Sequence, residues 1–193
     1  MHRNGLRNMY AFLTAAVLFI VFYCLLYMND LIWKNVTSGN GYAIKLEQKQ
    51  VPLELFIEPS IVIEGKELLI GEVNKLEQSI LKVDNTEIIL KSITRQEQEL
   101  LFDFTTKQHM PIFRGKFLHN SAYNDDGSLS ITTNHEQVAI HNAEGEPIAV
   151  GSIGVGPEAD FLVGIRLEDI DTVANGFYVN YNGYHRYRYA IGR

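Results

Sequence analysis

The chain has 193 residues, 46% of them hydrophobic and 21% charged, which is enough for one ordinary domain with an apolar core of its own. Its 17 basic and 23 acidic side chains give a net charge of −6, so a nucleic-acid-binding surface is not expected. Cys24 is the single cysteine, which excludes an intrachain disulfide and leaves the rest of the chain without a cysteine nucleophile or zinc ligand. An exported domain without cysteine is common in bacteria, so the composition favours a bacterial source.

Residues 9–28 form a stretch of twenty residues without a charge. A helix of that length is about 30 Å long, which matches the hydrocarbon core of a bilayer. Tyr10 lies near one end, and Tyr27 and Trp33 lie near the other, where the two headgroup regions would be. The stretch is longer than the apolar part of a cleaved signal peptide, and no small-x-small cleavage site follows it. It predicts an uncleaved transmembrane helix, a signal anchor, with a cleaved signal peptide as the alternative.

The charges on either side of this stretch predict its orientation. Arg3 and Arg7 precede it without any acidic residue, whereas Asp30 and Lys34 after it cancel. The positive-inside rule therefore places the N-terminus in the cytoplasm and the rest of the chain outside the cell membrane. The predicted organisation is a cytoplasmic stub at 1–8, a single-pass transmembrane helix at 9–28, a juxtamembrane stalk at 29–41, flexible at 35–40, and an extracytoplasmic β domain at 42–193. Residues 35–193 carry 14 basic and 22 acidic side chains, a net charge of −8, which argues against nucleic acid as a partner.

From residue 42 onward the sequence consists of short apolar runs separated by turn signals, the pattern of an all-β domain. The runs predict strands at 42–47, 51–57, 61–63, 68–70, 87–94, 99–105, 112–118, 129–133, 137–141, 147–153, 161–167, 177–181 and 184–191. Three further segments have other signals: 73–83 fits an apolar helix stripe, 167–174 a helical turn, and Asn182-Gly183 a tight hairpin. The predicted fold class is mainly β, an antiparallel β-sandwich (Ig-like) or barrel, preceded by one N-terminal transmembrane helix.

The segment 171–178 has an acidic residue, Asp171, then a short turn and the motif Gly176-Phe177-Tyr178 leading into a strand. This resembles the corner before strand F of immunoglobulin-like domains. The resemblance implies that the Tyr178 hydroxyl bonds back to upstream backbone and fixes the corner. The paired cysteines and the strand-C tryptophan of that family are absent, so the chain is most similar to cysteine-free immunoglobulin-like extracytoplasmic domains on single-pass bacterial membrane proteins. Some anti-sigma factors carry such outer domains, but residues 1–8 are too few for a sigma-binding domain, so that role is not implied.

Motifs for metal, cofactor or nucleophilic chemistry are incomplete in this sequence. His135 and His141 would point to one side of a strand, but about 20 Å apart, too far to share a metal ion. The segment 124–127 begins like a calcium loop without the alternating ligands that follow in one, and it favours a turn. The glycine-rich segment 151–156 lacks the Lys-Ser/Thr step of a phosphate loop and predicts a bend between sheets. We therefore expect no cofactor, no metal site and no enzymatic activity.

The last predicted strand contains the candidate binding residues. Alternation places Tyr184, Arg186 and Arg188 on one face, and arginine and tyrosine are enriched at the energetically important positions of interfaces. The alternative is a solvated sheet face on which these arginines pair with neighbouring carboxylates.

An anchor followed by a compact domain without a catalytic constellation predicts a membrane-anchored binding or accessory protein. Its partners would be the membrane, through 9–28, and another protein of a cell-envelope complex. The first alternative is a receptor domain for a small ligand or glycan, suggested by the tyrosines and arginines of the last strand. The second is an exported hydrolase that uses carboxylates; the candidates are Asp125, Asp126, Asp160 and Asp169.

Overall fold

The computed structural model describes residues 2–123, 129–131, 137–156 and 159–192. The chain begins with a 36-residue helix, α1 (His2–Thr37), which includes the whole uncharged stretch and continues nine residues beyond it. Across the described residues, no helix combines the length and the apolar character that crossing a membrane requires. Gly39 and Gly41 follow α1 with φ angles of 68° and 75°, a conformation that side chains with a Cβ rarely adopt, and the chain turns there into the first strand.

The rest of the described chain is mainly β. Its strands are β1 (Tyr42–Ile57), β2 (Val73–Val83), β3 (Thr86–Arg95), β4 (Glu99–Gln108), β5 (Arg114–His119), β6 (Ser121–Tyr123), β7 (Leu129–Ile131), β8 (Val138–Asn142), β9 (Pro147–Ile148), β10 (Val150–Val155), β11 (Phe161–Arg166) and β12 (Phe177–Ile191). A short helix, α2 (Pro59–Glu67), joins β1 to β2, and a 3₁₀ helix (Leu167–Val173) precedes β12. The predictions for β3, β4, β11 and the helical turn are confirmed.

Two antiparallel sheets enclose the main core. The first has the order β1-β12-β8-β9, with β5 also paired to β12, and the second has the order β10-β11-β4-β3-β2. Leu53 and Leu55 of the first sheet and Ile88, Phe102 and Phe104 of the second belong to one buried apolar cluster. The prediction of a mainly β, two-sheet antiparallel architecture is thereby confirmed. The strand order differs from that of immunoglobulin domains, in which the last strand lies at a sheet edge, because here β12 is central.

The strands predicted at 61–63 and 68–70 are wrong, because 61–63 belongs to α2 and 68–70 is not part of a strand. Pro59 starts the helix at a position where its missing N–H is not needed. Ile61, Val62 and Gly65 are buried on one side of α2, a helical spacing. A Cβ on Gly65 would come within 3.0 Å of Leu100, so glycine permits the close approach of α2 to the second sheet.

The segment 73–83, whose apolar spacing fits a helix stripe, is the edge strand β2. Leu76 and Ile80 are four residues apart, which fits one face of a helix but equally the period of two of a strand. The pairing with β3 then shifts between Ser79 and Leu81, an irregularity that changes the alternation. Val83 therefore packs on the same core as Leu76 and Ile80, and a bulged strand produces the apparent helical stripe.

Asn182-Gly183 does not form the predicted hairpin, because both residues lie within β12, a continuous strand of fifteen residues. β1 pairs with β12 over its whole length, while β8 covers the first half of its other edge and β5 the second half. The register shifts at Asn182 and Gly183, two residues that face Pro52 alone. A Cβ on Gly183 would overlap the buried ring of Tyr181. Glycine is needed there for packing within a bulge and not for a turn.

The end of α1 packs on the outer face of the first sheet and forms a second apolar cluster. Its buried members are Ile32, Val36, Met110, Phe117, Tyr187 and Tyr189. The Asn29 side chain donates to the Gln108 carbonyl (2.9 Å) and accepts from the Met110 N–H (2.7 Å). Trp33, expected at a headgroup level, packs edge-on against Phe117 with ring centroids 5.2 Å apart. Residues 29–37, part of the predicted stalk, are thus helical and docked on the β domain.

Candidate functional site

A cleft of about 520 Å³ opens where β1 and β12 are most irregular, and we name it the bulge cleft. Its described lining residues are Leu46, Lys49, Gln50, Asn120, Ala122, Tyr123, Gln137, Gly183, His185 and Tyr187. Bulges are over-represented beside functional sites because they redirect side chains out of the regular alternation. The lining here combines aromatic rings, amide groups and imidazole, with Lys49 as its one lysine or arginine among the described residues.

Extra residues on both strands produce the cleft. On β1, Lys49 and Gln50 together face the single residue His185 of β12. Gln50 has a φ of 51°, in the left-handed region, which costs free energy for a residue with a Cβ. In this conformation its N–H donates to His185 Nδ1 over 3.3 Å.

Two neighbouring histidines belong to this part of the sheet, and of the two only His185 is among the described lining residues of the cleft. His119 of β5 is the register partner of His185 and is only 4% exposed. The Ser121 N–H donates to His119 Nδ1 (3.0 Å), so this nitrogen must be unprotonated. Burial, with the nearby His185 adding to it, lowers the pKa of His119 to about 4. Burial first and then Lys49 lower the pKa of His185 as well. Both rings are therefore neutral at pH 7 and carry their proton on Nε2.

Two tyrosines form the wall next to the histidines. The Tyr187 hydroxyl donates to the Ser121 carbonyl (3.0 Å) and accepts from the Tyr123 N–H (3.2 Å). The Tyr123 hydroxyl oxygen is buried and has no hydrogen-bond partner in the part of the chain that the structure describes. Burial, with the neighbouring Tyr187 adding to it, raises the pKa of Tyr123 above its ordinary value. Its neutral O–H therefore retains hydrogen-bonding capacity that the described residues do not use.

The chemistry of the bulge cleft is that of recognition by neutral hydrogen-bonding groups. Imidazole Nε2–H, amide groups and phenol can each donate or accept without a formal charge. A nucleophile beside a base is not formed by the described lining residues, and no group of three His, Cys, Asp or Glu side chains among the described residues could hold a metal ion. The arrangement suits a neutral polar ligand that combines hydroxyl or amide groups with a face for ring contacts.

The structure places the predicted binding residues outside this cleft. Tyr184 is buried and its hydroxyl donates to the Ala159 carbonyl (2.7 Å), so it belongs to the core. Arg186 pairs with Asp84 (2.8 Å) and Arg188 with Glu47 (3.2 Å). Hydrogen bonding to Lys116 and the charge of Arg188 lower the pKa of Glu47, as expected for a paired carboxylate. This is the arrangement of the alternative interpretation, in which the arginines pair with neighbouring acids.

The two residues of the predicted corner, Tyr178 and Asp171, contact different parts of the domain. The Tyr178 ring packs against Phe56 with centroids 4.9 Å apart, and Asp171 pairs with Lys66 at 2.5 Å. Among the hydrogen bonds of the described residues, none joins the Tyr178 hydroxyl to upstream backbone. The corner that the resemblance implies therefore has no counterpart in these contacts.

Two of the carboxylates considered for hydrolysis, Asp160 and Asp169, are described by the structure. Asp169 pairs with Arg166 (3.1 Å). Asp160 adds to the effect of burial in raising the pKa of Asp103. Asp125 and Asp126, like His135 and the predicted turn 124–127, lie outside the described residues. Of the described pair, neither Asp160 nor Asp169 lines the cleft.

Sequence reasoning missed His119, His185, Tyr123 and Tyr187 as one group. They come from three strands, and their proximity depends on the pairing of β12 with β5 and on the bulges. The one available signal was Gly183 within an otherwise strongly strand-forming segment, which is typical of a bulge or a close approach.

Together, fold and cleft define a mainly β, two-sheet domain with a docked N-terminal helix and a cleft lined mostly by uncharged groups, with Lys49 among them. Comparisons with protein-family models, with curated proteins and with solved structures give no match to this chain.

Proposed function

We propose that this protein is a membrane-anchored, non-catalytic binding or accessory protein of a cell-envelope complex. Helix α1 crosses the bilayer with its N-terminus in the cytoplasm and holds the β domain outside. The observation that carries this proposal is the exposure of an apolar section of α1. Val17, Leu18, Phe19, Ile20 and Val21 are each at least half exposed.

These consecutive residues cover more than one turn, so apolar side chains project from every side of α1. A helix that is apolar all round is stable when it is surrounded by protein or by lipid, and the described contacts of α1 with the β domain lie at the end of the helix. The uncharged stretch 9–28, which α1 includes, has the length of a bilayer's hydrocarbon core. Lipid is thus the environment that suits this section.

The docking of α1 on the β domain supports a role in presentation. Because Asn29 bonds to the connection between β4 and β5, and Ile32 and Val36 are buried, the domain has a fixed orientation relative to the helix. A partner in the envelope would therefore meet a defined face of the domain.

Two arginines in the apolar section are expected to release the protein from membranes. Each arginine at the centre of a span costs about 2.5–3.5 kcal/mol on an insertion scale. The variant L18R/F19R of the full chain should move to the soluble fraction after carbonate washing of cell membranes. The matched control is L69R/I70R, since Leu69 and Ile70 are equally exposed and apolar but belong to the β domain. Recovery of the wild-type protein in the soluble fraction would disprove the anchor, and protease resistance of the β domain in intact cells would disprove its outside location.

A second candidate function is a receptor for a neutral small ligand, such as a glycan, and the bulge cleft favours it. The cleft contains a strained Gln50, a buried Tyr123 hydroxyl without a partner among the described residues, and a neutral His185. Strain and unused hydrogen-bonding groups cost stability, and they are found where a site requires them. Carbohydrates present hydroxyl groups and apolar faces that match such a lining.

Binding in the bulge cleft can be tested with a panel of neutral oligosaccharides. For a binding oligosaccharide we expect chemical-shift changes that include the His185 ring, and at least a tenfold loss of affinity in His185→Ala, the loss of roughly 1.4 kcal/mol. Arg188→Ala is the control, because Arg188 lies on the same strand but outside the cleft. An equal loss in both variants, or binding without shifts at the cleft, would contradict this assignment.

A further inference from the structure

The connection between β4 and β5 exposes large apolar side chains. Ile112 is 44% exposed and Phe113 is 71% exposed, and the neighbouring Ile191 at the end of β12 is about half exposed. In a soluble environment such side chains would be expected to turn toward the nearby apolar cluster below the loop. Loop 110–113 keeps them in contact with solvent instead.

The backbone of this loop is fixed residue by residue. The hydrogen bonds are Met110 N–H to Asn29 Oδ1 (2.7 Å), Tyr189 hydroxyl to Pro111 carbonyl (2.7 Å), Tyr42 hydroxyl to Ile112 carbonyl (2.8 Å) and Ile191 N–H to Phe113 carbonyl (3.0 Å). A loop held at four successive residues cannot rearrange to bury its side chains. The exposure of Ile112 and Phe113 is therefore built into the fold.

The loop starts at the place where α1 leaves the β domain. Met110 bonds directly to Asn29, and Tyr23 and Tyr27, which precede Asn29 on α1, are exposed. The Cα atom of Phe113 can be at most about 11 Å from that of Met110. The apolar side chains of the loop are thus close to the end of the uncharged stretch 9–28 of α1.

The local charge suits anionic lipid although the whole chain is acidic. Arg114 follows Phe113, is exposed, and makes no ion pair with any described residue. Exposed apolar residues beside an uncompensated basic residue are the combination that inserts at the boundary of headgroups and acyl chains.

We propose that loop 110–113 is a second membrane contact, with Ile112 and Phe113 inserted among the headgroups beside α1 and Arg114 at the anionic surface. This rests on the proposed anchoring of α1. Two attachments, helix and loop, fix the tilt of the β domain above the bilayer. His185 is six residues along β12 from Ile191, roughly 20 Å at about 3.3 Å per residue, so the bulge cleft is within that distance of the loop.

Site-specific fluorescence in vesicles tests this contact. In a Cys24→Ser background, the full chain carries single substitutions Ile112→Cys, Phe113→Cys, Leu18→Cys or Leu69→Cys, each labelled with a polarity-sensitive fluorophore. The vesicles contain phosphatidylcholine and phosphatidylglycerol, with or without spin-labelled lipids as quenchers. We expect blue-shifted emission and several-fold stronger lipid quenching at positions 112 and 113 than at position 69. Leu69 is exposed and apolar, but it lies near Arg95, at the end of β3 opposite to the one that pairs with Gln108 before the loop.

The label at position 18 separates the two proposals. Quenching at 18 together with water-like emission and no quenching at 112 and 113 overturns the loop contact and leaves the anchor intact. Quenching at 112 and 113 without quenching at 18 overturns the anchor and supports a loop contact of its own. A blue shift at 112 and 113 without lipid quenching indicates burial against protein, and it also overturns the proposed lipid contact.

Discussion

Phe117→Ala is expected to lower the free energy of unfolding by about 3–5 kcal/mol, the range for removing a large aromatic side chain from a core. Phe117 is fully buried at the centre of the second cluster. Its ring contacts Trp33 of α1 and three tyrosines, Tyr123, Tyr187 and Tyr189. Its loss would leave a cavity between α1 and the first sheet, so the docking of the helix should weaken together with the stability of the domain.

Trp33 provides a direct measurement, because the chain has one tryptophan. Denaturant titration followed by its fluorescence should show a lower midpoint for Phe117→Ala and a red-shifted emission before global unfolding. The matched control is Phe113→Ala, which removes the same ring from a position that is 71% exposed and should change stability by less than about 0.5 kcal/mol. Equal effects of the two substitutions would mean that α1 is not held by this cluster.

Acidification from pH 6.5 to pH 4 is expected to destabilise the folded protein by about 2–3 kcal/mol through His119. Its pKa is lowered from 6.5 to about 4 by burial, with His185 adding to the effect. Between these values the unfolded chain binds more protons than the folded one, so the free energy of unfolding rises with pH. The stabilisation is complete above pH 6.5 and is lost as the pH falls toward 4. Protonation would also break the bond from Ser121 N–H to Nδ1.

His119→Asn tests this origin, because its side-chain oxygen can accept from Ser121 N–H but does not titrate in this range. Most of the pH dependence between 6.5 and 4 should disappear in this variant, with a smaller part left from His185. The contribution of Glu87 falls in a separate window. Hydrogen bonding to Ser79, and to a smaller extent to His109, lowers the pKa of Glu87 to about 2. The stabilisation that Glu87 provides is therefore lost as the pH falls below about 4.5. An unchanged slope in His119→Asn would contradict the assignment.

Phe117 and His119 lie in neighbouring parts of the molecule. The Trp33 ring lies 5.2 Å from that of Phe117 and 5.9 Å from that of His119, between centroids. The last turns of α1 therefore support the same residues that lie behind the bulge cleft. A change in helix docking is expected to alter the cleft, and protonation of His119 is expected to loosen the docking.

The sequence by itself determined the class of the domain and most of its strands. Alternating apolar residues and polar turns located β3 and β4, and the apolar run before an acidic turn located β11. These features are local, because strand periodicity and turn chemistry depend on residues close in sequence. The uncharged stretch 9–28 was likewise visible as a long helix, within the longer α1.

Only the tertiary structure decided the features that depend on partners distant in sequence. Asn182-Gly183 would favour a hairpin locally, but pairing with β1, β8 and β5 keeps β12 continuous, and the buried ring of Tyr181 requires glycine at 183. Arg186 and Arg188 were predicted as binding residues from the alternation of β12. Only the tertiary structure places Asp84 and Glu47 beside them, where they form ion pairs. The bulge cleft and the fixed loop 110–113 arise from side chains brought together across strands, and local periodicity carries no information about such contacts.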